Sequence, residues 1–193
     1  MATTDQTTNN DRGRKTLLGI VAVLAILLVA GLVIWLVLDH TGSSSSSATT
    51  TQLTSKVGPV VASGAVLSAL AANAKHDVYW AGTIAGNRTE FQKVSNGSVY
   101  VRYLPQGVTA GDPRGKWLVI ATYPFANGYQ ALKKVGQGKT VAIPGGGIAL
   151  VDSAHPQSVH FAFPGVDLQG EVYDPSPAKA LAVATSGKVT KVP

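Results

Sequence analysis

Cysteine is missing from the chain altogether. That excludes disulfides, thiolate nucleophiles and cysteine-ligated metals or clusters. Charge is also thin: 13% of residues are Asp, Glu, Lys or Arg, against about a quarter in an ordinary globular chain. Motifs that place a catalytic group are lacking too. Ser68, Ser153 and Ser158 are candidate nucleophiles only by residue type, since no Gly-x-Ser-x-Gly elbow and no Ser-x-x-Lys step frames them. His155 and His160 with Asp152 could meet around a metal only if the intervening turn folded back, and they have no zincin spacing. The acids Glu90, Asp112, Asp152, Asp167, Glu171 and Asp174 are too sparse to suggest the paired carboxylates of a glycosidase. No cofactor and no metal are expected, and the missing motifs favour a non-enzymatic role.

What the chain does contain begins with a long apolar run. Residues 17–38 read LLGIVAVLAILLVAGLVIWLVL, 22 positions without a charge. As a helix this stretch reaches about 33 Å, enough to cross the hydrocarbon core of a bilayer. It keeps its backbone polar groups paired within itself. Arg12, Arg14 and Lys15 precede the run, and the first basic Lys or Arg after it is Lys56. This asymmetry predicts a cytoplasmic N-terminus and an extracytoplasmic C-terminal part. A cleaved signal peptide would have a shorter apolar region and a small-x-small site, which Leu36, Val37, Leu38 and Asp39 do not supply. The expectation is a single-pass anchor in the plasma membrane, with the lipid bilayer as partner of residues 17–38.

The organisation follows from these shifts in composition. Residues 1–16 form a short cytoplasmic tail and 17–38 the transmembrane helix. Residues 39–57 form a linker containing TGSSSSSATTTQLT, which has almost nothing to bury. Residues 58–193 form the extracytoplasmic domain, long enough for one hydrophobic core. The net charge is +6, and basic residues outnumber acidic ones by the same margin from Lys56 onward. A mildly basic, well-solvated surface accounts for that, and nucleic acid is not expected as a partner.

Within the domain, residues 59–74 are Ala-rich with near-helical spacing, and Ser63 stands where a cap would. A second short helix is predicted over 127–135. A third runs from Asp174-Pro-Ser-Pro to about Thr185, with proline at its start. Strands alternate around them. Asn96–Gly97 between 89–94 and 99–103 marks a hairpin. Tyr100 and Arg102 fall on one face, and Val99, Val101 and Tyr103 on the other. WLVIAT at 117–122 suits the middle of a sheet, and Val159, Phe161 and Phe163 alternate with Ser158, His160 and Ala162. The fold class is α+β: an N-terminal transmembrane helix, then a small domain with a mostly antiparallel sheet of about seven strands and about three short helices. Two strand clusters, each preceded by a helix, hint at a duplication without matching in sequence.

For function, one half of the domain is rich in aromatics. Tyr79, Trp80, Tyr100 and Tyr103 beside Arg102 and Arg114 form a candidate ligand-binding surface able to stack on a sugar or peptide, and the competing expectation is that these rings fill the core. Pro144-Gly-Gly-Gly147 reads as a sharp turn before it reads as an anion nest. The segments VYWAG (78–82), VYVRYLPQGVTAGDPR (99–114), VIATYP (119–124), PGGG (144–147), FAFPG (161–165) and EVYDPSPAKA (171–180) resemble a family of uncharacterised single-pass membrane-anchored proteins of actinobacteria, high-GC Gram-positive bacteria. The resemblance covers most of 75–193. It implies a plasma-membrane location with the domain on the cell-wall side, and it carries over no activity and no site residue. The function expected is a membrane-anchored extracytoplasmic binding or scaffolding module for a cell-envelope polymer or another membrane protein. A tethered envelope hydrolase and an accessory sensor subunit are the alternatives.

Overall fold

The computed structural model describes residues 57–193. The expected cytoplasmic tail, the 17–38 run and the expected linker up to residue 56 lie outside the described residues. Strands β1 (Val57–Val61), β2 (Tyr79–Trp80), β3 (Asn87–Lys93), β4 (Val99–Pro105) and β5 (Leu118–Pro124) come first in the chain. They are followed by β6 (Val141–Ile143), β7 (Gly147–Val151), β8 (Ser158–Ala162), β9 (Leu168–Tyr173) and β10 (Thr190–Lys191). Helix α1 spans Gly64–Ala72, α2 Gly128–Gly136 and α3 Pro177–Thr185. Eight strands make one sheet in the order β1-β3-β4-β5-β9-β8-β7-β6, and β2 and β10 form a separate ribbon. Every neighbouring pair is antiparallel. The domain is thus α+β with a largely antiparallel sheet and three short helices, and β5 stands mid-sheet as its continuous apolar run requires.

Two boundaries differ from the sequence expectation. Residues 59–61 were expected in the first helix and Val57 in the linker, but both belong to β1, which pairs with β3 through Val57↔Lys93, Val60↔Phe91 and Val61↔Glu90 across an irregularity. Two β-branched valines favour the extended form, and Pro59 is tolerated because β1 lies at the sheet edge. The helix starts only after Ser63, which occupies the N-cap position without a side-chain cap bond. By contrast Ser176 does cap α3, its Oγ accepting from the Lys179 amide at 3.4 Å, with Pro177 in the first turn.

Strand alternation divides the sheet into two faces. On one lies the main core: Phe91, Val99, Val101, Tyr103, Leu118, Ile120, Val159, Phe161 and Val172, closed over by Leu67 and Ala71 of α1 and Ala180 and Ala184 of α3. On the other, Leu132 of α2 packs on Ile148 and Ala162, and Tyr100, Val119, Ala121 and Tyr123 form a second cluster. Helix α2 buries Gly128, Leu132 and Gly136, one stripe at a spacing of four. A Cβ at Gly128 would stand 2.4 Å from the Leu168 carbonyl oxygen, so glycine sets how closely the helix sits on β9. The helices preceding the two strand clusters, α1 and α2, therefore lie on opposite faces, and the clusters are not copies of one arrangement.

Candidate functional site

The α2 face carries a buried polar layer. Glu90 and Arg102, cross-strand partners in β3 and β4, form an ion pair at 2.8 Å with side chains 0% and 2% exposed. The 106–117 loop folds over them. The Gly111 amide donates to Glu90 Oε2 at 2.6 Å, and Arg102 Nη2 donates to the Asp112 carbonyl at 2.6 Å. Arg88 reaches the Val108 carbonyl in the same loop. Farther along the sheet, Glu171 accepts from Tyr123 Oη and from Ser158 Oγ, each at 2.6 Å, all of them buried. Burial and the Glu171 charge drive the Tyr123 hydroxyl well above its ordinary pKa, and Tyr100 rises for the same two reasons in the same order. His160, 2% exposed, stands across from Glu171 in the β8–β9 register, and its Nδ1 meets Gln169 Nε2 at 3.1 Å.

This layer ties the loop to the sheet. The Ser158 hydroxyl is engaged by a carboxylate and His160 by an amide, so the pair does not form a nucleophile with its base. His155 does reach Asp152, Nδ1 to Oδ2 at 3.2 Å, but His160 is buried elsewhere. Among the described residues no three His, Cys, Asp or Glu side chains are grouped to hold a metal ion.

The six residues singled out in the sequence are not brought together on one surface. Tyr79 and Tyr103 belong to the main core, each 3% exposed. Tyr103 Oη accepts from the Ala81 amide at 2.6 Å, and the Tyr79 amide donates to Thr122 Oγ1 at 3.0 Å. These two bonds dock β2 onto the sheet. Trp80 packs partly buried against the same core. Tyr100 and Arg102 are buried on the opposite face. Arg114 alone among the six is open, its side chain 54% exposed. It clasps the Asp112 carboxylate at 2.6 Å and lies 5.4 Å from the Trp117 ring centroid. That clasp holds the Asp112 carboxyl down to about 2.

A cleft of about 470 Å³ opens beside the β2–β10 ribbon instead, within the usual range of about 300–1,000 Å³ for small-molecule sites. Tyr79 and Phe163 stack at 5.3 Å with 17° between their planes, and Phe161 meets both rings edge-on. Pro144 and Gly145 of the β6–β7 turn contribute one wall. There Gly145 and Gly146 adopt φ of 82° and 76°, conformations that favour glycine. A Cβ at Gly147 would stand 2.7 Å from the Phe163 ring. Pro164 and Val166 follow Phe163, and Gly187 and Val189 close the far side. Thr190 and Lys191 of β10 supply polar side chains, and Lys191 Nζ meets Asp77 Oδ2 at 2.6 Å. Burial, with the Asp77 charge second, pushes the Tyr79 hydroxyl up to about 12, so it stays neutral at physiological pH.

Of the six residues proposed from the sequence as a binding surface, Tyr79 alone lines this cleft. Phe163 was placed beside Phe161 by alternation, but its extension past the strand end was not apparent. The prolines and glycines of the walls read only as turns, and a two-residue strand such as β10 leaves no pattern. Compared with protein-family models, curated proteins and solved structures, the chain matches none.

Proposed function

We propose that the chain is a membrane-anchored extracytoplasmic binding or scaffolding module, and that the cleft floored by Tyr79 and Phe163 receives its ligand. The observation that carries the binding reading is the cleft: open to solvent, more apolar than polar, and bounded by four separate segments of the chain. Among the described residues lining it, the ionisable side chains are those of Tyr79 and Lys191, a set suited to contact and orientation rather than to acid–base catalysis. On the opposite face Glu90 is paired with Arg102, and Glu171 with Tyr123 and Ser158. The anchor rests on the uncharged apolar run at residues 17–38, and the charge asymmetry about it supports a position for the domain on the outer side of the plasma membrane, near envelope polymers and other membrane proteins.

Hydrogen–deuterium exchange on the full chain in phosphatidylcholine vesicles, with and without cell-envelope extracts, tests this reading. Protection confined to peptides containing Pro144–Gly147, Phe163–Val166 and Gly187–Lys191 is expected. Protection elsewhere only, or turnover of an extract component by the chain, would replace it with a different surface or with a hydrolase.

A further inference from the structure

Taking the cleft as the binding site, we infer that its ligand is an amphiphile, an elongated apolar body ending in a single anionic group. The walls determine the body. Phe163, Val166, Val189 and the two prolines present side chains that neither donate nor accept hydrogen bonds. A sugar or a peptide backbone pressed against them would lose its water without replacement, whereas hydrocarbon gains by leaving water. The lining side chains that can donate or accept a hydrogen bond, those of Tyr79, Thr190 and Lys191, all come from the β2–β10 ribbon, where Lys191 is the register partner of Tyr79. A ligand that satisfies both regions is polar at one terminus only.

Lys191 sets the sign. Its present partner is Asp77, and the two side chains are 56% and 42% exposed. Ion pairs this open contribute little, so exchanging the Asp77 carboxylate for a ligand's costs little and returns Asp77 to water. The ligand anion then gains a charge-assisted hydrogen bond at the edge of an apolar cleft. The excess of basic over acidic residues from Lys56 onward favours the approach of anions. A carboxylate or a phosphate ester meets this description, whether from a free fatty acid or from an acidic lipid of the membrane.

The test uses the full chain in phosphatidylcholine vesicles, with decanoate carrying a photoreactive diazirine at its far end as the dissolved probe. Cross-linked peptides are located by mass spectrometry, and Lys191→Glu and Lys191→Met are compared with the parent after circular dichroism confirms equal folding. Label is expected on the peptides holding Phe163, Val166 and Val189. Excess decanoate should abolish it, decanol and decyltrimethylammonium should not, and Lys191→Glu should lower it about tenfold or more, equivalent to about 1.4 kcal/mol. A second arm carries the diazirine on the acyl chain of phosphatidylglycerol in the vesicle. Cleft label from that arm alone identifies a membrane lipid, and label from the dissolved probe alone identifies a free acid. If decanol and the ammonium compete as well as decanoate, the anionic requirement is overturned and the cleft survives as a binding site. Label confined to residues 17–38, or spread evenly over the chain, overturns both.

Discussion

The contact between Phe161 and Gly170 lends itself to a quantitative test. The two are cross-strand partners in β8 and β9, and the ring lies over the glycine. A Cβ at position 170 would stand 2.0 Å from Cζ and 2.4 Å from both Cε atoms. The ring has nowhere to go, because Tyr79 meets it edge-on at 5.4 Å and Phe163 at 6.0 Å. Gly170 is absent from the glycines with positive φ, so space alone excludes a side chain there. Forcing a methyl into a packed core costs about 1–3 kcal/mol, and the depth of this overlap puts Gly170→Ala near the top of that range. Phe161→Ala by itself should cost about 3–5 kcal/mol through lost burial and a cavity. In that background the methyl at 170 enters vacated space, and the lower backbone entropy of alanine recovers about 0.5–1 kcal/mol. The expected coupling, the difference between these two effects, is about 3–4 kcal/mol. Urea unfolding followed by tryptophan fluorescence reads it as a midpoint shift of about 1 M for Gly170→Ala, which disappears when Phe161 is alanine. A Gly170→Ala protein as stable as the parent, or the same loss in both backgrounds, would refute the packing argument.

Three further outcomes are expected. Arg102→Met strands the buried Glu90 carboxylate with the Gly111 amide as its remaining donor, and should cost about 3–5 kcal/mol. Glu90→Leu added to it should recover much of that in the same urea assay, while limited proteolysis should find the 106–117 loop loosened in both. Tyr79 and Tyr103 are pushed up to about 12, chiefly by burial. The folded state therefore keeps protons that the unfolded chain releases from about pH 10, so stability is intact below pH 10 and is lost as pH rises towards 12. Their phenolate absorbance should appear together with loss of the circular dichroism signal, and ionisation at an ordinary pH with the fold intact would contradict their burial. Because the chain has no cysteine, single substitutions report topology without background: in intact cells a membrane-impermeant maleimide should label Lys116→Cys and spare Thr8→Cys, and the reverse pattern would invert the orientation.

Much of the sheet was legible because its signals are local. Alternation in Val99–Tyr103 and Ser158–Phe163, the Asn96–Gly97 turn and the apolar run entering β5 each follow from a few adjacent residues. Failures came where partners far along the chain decide the outcome. Val60 and Val61 become a strand because β3 receives them, although the run they open is Ala-rich. Thr190 and Lys191 count as a strand only because Tyr79 and Trp80 lie opposite. The separation of Tyr100 and Arg102 from Tyr103 was evident from spacing. That a loop would seal Arg102, and that Glu171 would find Tyr123 and Ser158, depends on pairing across β4, β5, β8 and β9. The cleft was the least legible part, since turns with little side-chain pattern shape most of it.

The junction of β5 with β9 bears on how the domain is made. Strands β3, β4 and β5 are consecutive hairpin partners, and can assemble as soon as they exist. The second edge of β5 pairs with Leu168–Tyr173, more than forty residues later in the chain. Closing so long a loop is slow compared with zipping a hairpin. During synthesis and any passage across a membrane, the most apolar strand of the sheet waits with one row of backbone donors and acceptors unmet. That interval is when the chain is most prone to pair with a copy of itself. Substitutions that weaken β9 should therefore reduce yield more than their effect on the finished fold implies.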